Sequence, residues 1–245
     1  MDISIILACY NESKVFDNYK EIQKILEKSK YNYEIIFVDD CSKDGTRDLI
    51  KQAVKENKNL KFLFHEANTG RGQTVTDGIK TATGHIVGFI DFDLETPANY
   101  IPQLAMEIEN GADVATAQRL YNLHIKDFLV AHRWIAHKGY KLLVKLLLRT
   151  KLKDTEVGCK FFKKEKILPV LDEIKDKQWF WDTEIMIRSY YRGLKIKEVP
   201  SLFLRKPETG TSLKFFRDSY RYFNKLIKFM PEAKRLRSEW KKNLQ

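Results

Sequence analysis

The sequence predicts an α/β fold, with an open, mostly parallel sheet flanked by helices and basic amphipathic helices in the second half. Through roughly the first 115 residues, short apolar runs alternate with helical patterns, as in sheets with crossover helices. Polar motifs follow several of these runs at their carboxyl ends, where open parallel sheets bind ligands. The chain has 245 residues, which is long enough for a sizeable core.

The individual elements follow from apolar runs and turn residues. Continuous apolar runs predict buried strands, and the fourth run is followed directly by acids. Strands are expected at residues 3–8, 34–38, 60–65 and 85–90. Helices are expected at residues 15–28, 46–56, 74–82, 125–148 and 215–240, with Thr46 as a helix cap and a break at Pro231.

Cysteine usage and hydropathy limit the compartment. Cys9, Cys41 and Cys159 lie far apart without ligand spacing, which favours a reducing compartment and neither a disulfide framework nor a zinc site. The chain opens directly into the first strand, so we expect no signal peptide. No apolar run approaches the roughly 20 residues needed to cross a bilayer. We expect a cytoplasmic protein without a transmembrane helix.

The net charge of +11 is concentrated in two segments. Residues 124–153 carry +7 and residues 205–245 carry +8, which leaves −4 for the remainder. Both segments are rich in leucine and aromatic residues, so anionic lipid headgroups or a lipid phosphate fit better than nucleic acid. We therefore expect a peripheral position at the cytoplasmic membrane face. Ordinary solvated helix faces are the alternative.

Three acids follow the fourth apolar run. Asp91 and Asp93 come directly after it, and Glu95 follows two residues later. Because alternate residues of a strand point to the same side, a strand end would direct Asp91 and Asp93 together. Oxygen ligands at this spacing suit Mg²⁺ or Mn²⁺, which usually bridges carboxylates and nucleotide phosphates. A solvated acidic turn is the alternative.

Further motifs occur in a fixed order along the chain. They are Tyr10-Asn11-Glu12, Val38-Asp39-Asp40-x-Ser42-x-Asp44-Gly45-Thr46, Asn68-x-Gly70-x-Gly72, Asp91-x-Asp93, Arg119-x-Tyr121, Asp154-x-x-x-Gly158-x-Lys160-x-Phe162, Glu198-Val199-Pro200, and Arg205 followed by Gly210-x-Ser212. In this combination the sequence resembles the family 2 glycosyltransferases with the GT-A fold, most closely the dolichyl-phosphate mannose synthase-like branch. The resemblance implies a catalytic domain at 1–214, with a nucleotide-sugar half at about 1–118 and an acceptor half at about 119–214. A basic amphipathic helical tail would follow at 215–245.

The resemblance implies that the strand ends bind a nucleotide sugar. The implied residues are Ala8, Tyr10, Glu12, Val38, Asp40, Asp91, Phe92 and Asp93. Glu12 and Asp40 can accept hydrogen bonds from ribose hydroxyls or base N–H groups, and the Tyr10 ring can pack against the base. For Asp40, Ser42 and Asp44, the alternative is that they only organise a turn and a helix start.

The metal assignment also follows from the resemblance. Asp91, Asp93 and Glu95 would hold Mg²⁺ or Mn²⁺, and Asp93 would be catalytic through the ion, which neutralises charge on the departing nucleoside diphosphate. Relatives often carry a glutamine where this chain has Glu95. The additional negative charge implies a different metal preference.

Arginines are implied to bind the phosphates. A phosphate monoester is already anionic near neutral pH, so as a nucleophile it needs cationic positioning more than a general base. Arg119 and Arg133 are candidates for the acceptor phosphate, and Arg119 and Arg205 for catalysis. Relatives often have a small hydroxyl residue one turn after the second arginine, where this chain has His137. Lys214 would join Arg205 if their segment closes over the donor.

Two acids lie where the family keeps an acid near the sugar. Asp182 and Glu184 are candidates for sugar contact, and a helix cap at Asp182 is the alternative. The helix expected at 125–148 mixes leucine and aromatic residues with lysine and arginine. It either lies at a membrane interface or simply covers the sheet.

The sequence thus predicts an inverting, metal-dependent glycosyltransferase that transfers a hexose to a polyprenyl (dolichyl-type) phosphate. GDP-mannose is the first donor expected and UDP-glucose the second. The expected partners are a membrane surface or a small membrane-anchoring subunit, and no nucleic acid. One alternative keeps the fold but transfers to a glycan or glycolipid hydroxyl, with Asp182 or Glu184 as base. A basic nucleic-acid-binding or scaffold protein is the non-enzyme alternative.

Overall fold

A computed structural model of the chain describes residues 1–121, 131–204 and 215–242. It contains a seven-stranded sheet in the order β3-β2-β1-β4-β6-β5-β7. The strands are β1 (Ile3–Cys9), β2 (Tyr33–Asp39), β3 (Leu60–Phe64), β4 (Ile86–Ile90), β5 (Val114–Tyr121), β6 (Cys159–Lys163) and β7 (Ile196–Phe203). The four strands predicted from the sequence are all present, with ends that differ by at most one residue.

The sheet is parallel except at β6. Strands β1 to β4 pair in parallel, β5 pairs in parallel with β7, and β6 is antiparallel to both β4 and β5. The carboxyl ends of β1, β2 and β4 therefore lie side by side, next to the amino end of β6. Strand β7 forms one edge of the described sheet and carries Pro200.

Helices cover both faces of the sheet. They are α1 (Asn18–Glu27), α2 (Thr46–Glu56), α3 (Arg71–Thr81), α4 (Ile101–Glu109), α5 (Ala131–Leu147), α6 (Lys164–Leu171), α7 (Trp181–Tyr191) and α8 (Phe215–Lys242). Ile5 and Leu7 of β1 belong to a core cluster shared with α1, α2 and α4. Ile6 belongs to a second cluster shared with α3 and α5 to α8. The alternation of side chains along one strand thus supplies two cores.

The last helix differs from the expectation. The predicted break at Pro231 is wrong, because α8 runs through this residue without interruption. Leu226, Phe229 and Leu236 are buried in the second core cluster, so packing holds the helix across the missing N–H of the proline. The domain boundary at residue 214 stays a prediction.

Candidate active site

Polar side chains join the loops that follow β1 and β2. The Ser42 hydroxyl accepts the N–H of Asn11 at 2.9 Å, and the Asp44 carboxylate accepts the N–H of Ser13 at 3.1 Å. Thr46 is the first residue of α2, not its cap, and its hydroxyl accepts the N–H of Glu12. Ser42 and Asp44 therefore organise these turns, which was the alternative considered for them.

Asp40 shapes the neighbouring loop. One carboxylate oxygen accepts the N–H and hydroxyl of Thr69 at 2.7 and 2.9 Å, and the other accepts the N–H of Gly70 at 2.8 Å. Burial alone would raise the pKa of Asp40, but these bonds and one to His65 hold it below its ordinary value. Gly70 has a φ of +102°, which favours glycine. Asp40 is thus buried, and both of its carboxylate oxygens already accept hydrogen bonds within the protein. Its contact with a nucleoside stays a prediction.

Asp91 and Asp93 lie in a turn and not at a strand end. Strand β4 stops at Ile90, and the N–H of Leu94 donates to the carbonyl of Asp91 at 3.1 Å. Strand alternation therefore does not set their directions, although the charges of both carboxylates act on Glu12. Gly158 lies against Asp91, because a Cβ added there would sit 1.6 Å from Asp91 Oδ2. Only glycine leaves room for this carboxylate.

A buried network of charges connects Asp91 to α7. Arg71 donates from Nε to Asp91 Oδ1 at 3.0 Å and from Nη1 to Asp182 Oδ2 at 2.6 Å. The other Asp182 oxygen accepts from Lys160 Nζ at 2.5 Å. No role was predicted from the sequence for Arg71 or Lys160. The signals were a cation between two loop glycines, and a lysine within the buried run of β6.

Three acids lie close enough to influence one another. Burial, followed by the charges of Asp93 and Asp91, raises the pKa of Glu12 to about 7. The pKa of Asp91 is also raised, mainly by burial, although Arg71 opposes the shift. Asp93 Oδ1 accepts the N–H of Glu95 at 3.0 Å. Two of the three acids predicted to bind metal, Asp91 and Asp93, therefore lie near Glu12 in the loop after β1.

The fit to a metal ion is partial in the protein alone. Across residues 1–121, 131–204 and 215–242, no group of three histidine, cysteine or acid side chains is placed to hold one ion. The carboxylates of Asp91 and Asp93 are the hard oxygen ligands that Mg²⁺ or Mn²⁺ requires. These residues fit an ion whose coordination is completed by phosphate oxygens and water.

The raised pKa of Glu12 predicts a pH-dependent stability. The folded state retains this proton up to about pH 7, whereas the unfolded carboxyl loses it near its ordinary value of 4.5. The contribution of Glu12 to stability is therefore present at pH 4 and falls as the pH rises from about 4.5 to 7. Glu12→Gln should gain stability relative to wild type over this range, measured by urea unfolding at pH 5 and pH 8. Equal differences at both pH values would contradict the shift.

Other predicted donor-site residues are not equally exposed. The Tyr10 ring is 49% exposed and available to a base. The Val38 side chain and the Phe92 ring are buried in the two cores, and Phe92 stacks on Phe16. Ala8 pairs with Val38 in the sheet. Val38 and Phe92 therefore reach a ligand through backbone atoms at most, whereas Ala8 is only partly buried.

The predicted acceptor arginine Arg119 has an acidic partner. Its Nε and Nη2 each donate to the buried carboxylate of Asp154 at 2.8 Å, and Lys141 Nζ lies 2.9 Å from the same carboxylate. This pairing was not predicted from the sequence, although Asp154 belongs to one of the motifs that carry the family resemblance. The Arg133 side chain, Arg205 and Lys214 lie outside the described residues.

The two acids on α7 have different environments. Helix α7 begins at Trp181, so Asp182 is not its cap, and its two oxygens bind Arg71 and Lys160. The Glu184 carboxylate accepts two backbone N–H groups and pairs with Arg188 within the fold. Asp182 therefore borders the crevice, whereas Glu184 is a structural residue.

A mostly parallel seven-stranded sheet in this order, with acids in the loops after β1 and β4, has the GT-A fold. The family model described as glycosyl transferase family 2 matches residues 4–169, and the chain belongs to this family. The predicted fold class, family and enzyme class are confirmed.

Curated relatives cover most of this chain. Glycosyltransferase AglD of Haloferax volcanii is 26% identical over 219 residues, which are 87% of this chain and 35% of AglD. Dolichyl-phosphate beta-glucosyltransferase of Dictyostelium discoideum is 28% identical over 214 residues, which are 80% of this chain and 64% of that protein. The chain thus spans 35% to 64% of the length of these relatives.

Solved structures share the fold. Glucosyl-3-phosphoglycerate synthase from Mycobacterium tuberculosis, with Mn²⁺, uridine diphosphate and glucosyl-3-phosphoglycerate, has a TM-score of 0.71 and 16% identity. The match covers 93% of this chain and 79% of that one. A structure of the same synthase with Mg²⁺ and uridine diphosphate has a TM-score of 0.69.

Proposed function

We propose that the protein transfers a hexose, with inversion, from a nucleotide sugar to a polyprenyl phosphate. The observation that carries the proposal is the acid cluster of Glu12, Asp91 and Asp93 in the loops that follow β1 and β4, in a chain of this family. Relatives named dolichyl-phosphate beta-glucosyltransferase favour glucose over mannose. UDP-glucose therefore replaces GDP-mannose as the first donor to test.

The chain positions the donor with groups already near the crevice. The exposed Tyr10 ring packs against the base, and Glu12 accepts hydrogen bonds from the nucleoside. Asp40 fixes the Thr69–Gly70 loop at the carboxyl end of β3. The donor diphosphate lies beside Asp91 and Asp93.

Asp93 and Asp91 would hold Mg²⁺ or Mn²⁺, with Glu95 as the third acid of the motif. When bound, the ion supplies positive charge to the departing diphosphate. Fold relatives crystallised with Mn²⁺ or Mg²⁺ and uridine diphosphate support this dependence.

The environment of α7 favours a phosphate acceptor over a sugar hydroxyl. A hydroxyl needs a base to take its proton, whereas a phosphate oxygen is already anionic. Both oxygens of Asp182 carry a cation, and Glu184 is buried against Arg188 and backbone N–H groups. Neither candidate base is available in this arrangement. Arg119, Arg133 and Arg205 stay the candidates for phosphate binding.

Exposed apolar side chains support contact with a membrane surface. Leu142 and Leu146 on α5 are 56% and 61% exposed, and Phe223 and Ile227 on α8 are each 42% exposed. Lysines and arginines accompany them on both helices. Amphipathic helices of this kind bind the lipid interface. Among the described residues, no helix is both long and apolar enough to cross a bilayer.

The test incubates the protein with Mn²⁺ or Mg²⁺, a panel of nucleotide sugars, and a polyprenyl phosphate. Mass spectrometry should detect a lipid-linked hexose, formed fastest from UDP-glucose and abolished by a chelator. A parallel reaction with a glycolipid acceptor tests the hydroxyl alternative. Product from the glycolipid alone would overturn the proposed acceptor.

A further inference from the structure

Arg71 is held at the centre of the donor crevice by two acids. Its Nε and Nη2 both donate to Asp91 Oδ1, and its Nη1 donates to Asp182 Oδ2. The side chain is only 12% exposed, although Arg71 is the first residue of α3. Arg71 is therefore a fixed cation directly beside an acid predicted to bind metal.

Aromatic rings fix the guanidinium further. Its Cζ lies 5.3 Å from the centroid of the Phe89 ring and 5.1 Å from that of the Trp179 ring. Contacts with two rings and two carboxylates leave the group little freedom to turn away. A metal cation that approaches Asp91 must therefore also approach the Arg71 guanidinium, a positive charge that cannot easily move.

Within the buried network, the positive charge of Arg71 neutralises Asp91, because Lys160 neutralises Asp182. Asp182 also accepts from Lys160, whose side chain is completely buried and forms no salt bridge with another acid of residues 1–121, 131–204 or 215–242. The two cations Arg71 and Lys160 thus balance the two acids Asp91 and Asp182. A divalent ion at Asp91 would be repelled by Arg71 over a few ångströms in a partly dry crevice, where such repulsion is strong. A diphosphate arriving with the ion would remove this repulsion.

Arg71 also retains donors for a diphosphate. A guanidinium has five N–H groups, and the contacts with Asp91 and Asp182 use three of them. The remaining N–H groups suit phosphate oxygens.

We propose that Arg71 is a built-in counter-ion of Asp91 that keeps metal affinity low in the free protein and couples metal binding to the nucleoside diphosphate. This inference rests on the proposed function, because it takes Asp91 as part of the metal site. According to this proposal, Arg71 lowers the affinity of the protein for the metal ion alone and raises its affinity for the ion together with a diphosphate. A residue that only supports the fold would change both affinities in the same direction.

The test measures Mn²⁺ binding to the nucleotide-free protein by electron paramagnetic resonance, and uridine or guanosine diphosphate binding at saturating Mn²⁺ by calorimetry. Arg71→Gln should bind Mn²⁺ at least 10-fold more tightly than wild type and the diphosphate at least 10-fold more weakly. Arg71→Lys should lie between Arg71→Gln and wild type for Mn²⁺, because an ammonium lacks the fork held by both acids. Arg47→Met is the matched control, since Arg47 pairs with buried Asp39 at the end of β2.

The outcomes separate this inference from the proposed function. If wild type binds neither diphosphate in the presence of Mn²⁺, the proposed function fails. If wild type binds one of them but Arg71→Gln binds Mn²⁺ no more tightly than wild type, the counter-ion inference alone is overturned. Should Arg71→Gln fail to fold, Arg71→Lys decides: unchanged or weaker Mn²⁺ binding overturns the inference, and tighter binding supports it.

Discussion

Asp93→Asn is expected to lower turnover by about 100-fold or more, without a comparable loss of stability. Asparagine keeps the oxygen that accepts the N–H of Glu95 at 3.0 Å, so the turn can be retained. The substitution removes a negative charge from the acid cluster, and a metal ion held less well stabilises less charge on the leaving diphosphate. Turnover is measured as lipid-linked hexose at saturating donor, over a titration of Mn²⁺.

The exposed acid Asp48 supplies the control. It lies in the first turn of α2, and its side chain is 88% exposed. Asp48→Asn should retain wild-type turnover, and both variants should unfold within about 2 °C of wild type. Undiminished turnover of Asp93→Asn at low Mn²⁺ would remove the metal role assigned to this residue.

Asp154→Asn is expected to destabilise the protein by about 3 kcal/mol, because a buried ion pair loses one partner. The carboxylate is fully buried and lies within 2.9 Å of both Arg119 and Lys141. An amide cannot balance either positive charge. The free energy of unfolding, obtained from urea titration at pH 7, should fall by this amount with an unchanged dependence on urea concentration.

Asp172→Asn is the matched control for this measurement. Asp172 pairs with Lys80 at 2.7 Å, but both side chains are largely exposed. Exposed pairs contribute little, so the change should stay below about 1 kcal/mol. Equal losses in the two variants would show that burial of Asp154 has no special weight.

The sequence predicted the elements well where apolar periodicity was continuous. The run of β1 and the run before Asp91 both form strands, because strands buried on both faces must be apolar throughout. The break at Pro231 failed for a different reason. The expectation that proline breaks a helix considers only the local sequence. It does not account for the tertiary packing of Leu226 and Phe229, which stabilises α8.

The site was predictable only where its residues form local motifs. Asp91 and Asp93 are recognisable in the sequence because they directly follow an apolar strand. Their orientation depends on a turn, which the alternation of side chains along a strand does not describe. The pairing of Arg71 with Asp182 joins residues 111 positions apart, so no local pattern contains it. Long-range ion pairs such as this decide which acids are available to a ligand.

Pro200 on β7 affects how copies of the molecule meet. An outer strand normally offers unpaired N–H groups that a second chain can use to extend the sheet into aggregates. Pro200 lacks that donor, and it is an exposed residue of a strand that already pairs on its inner side with β5. At high concentration, strand addition along this side is therefore interrupted. Replacing the proline with valine would restore an uninterrupted template for self-association.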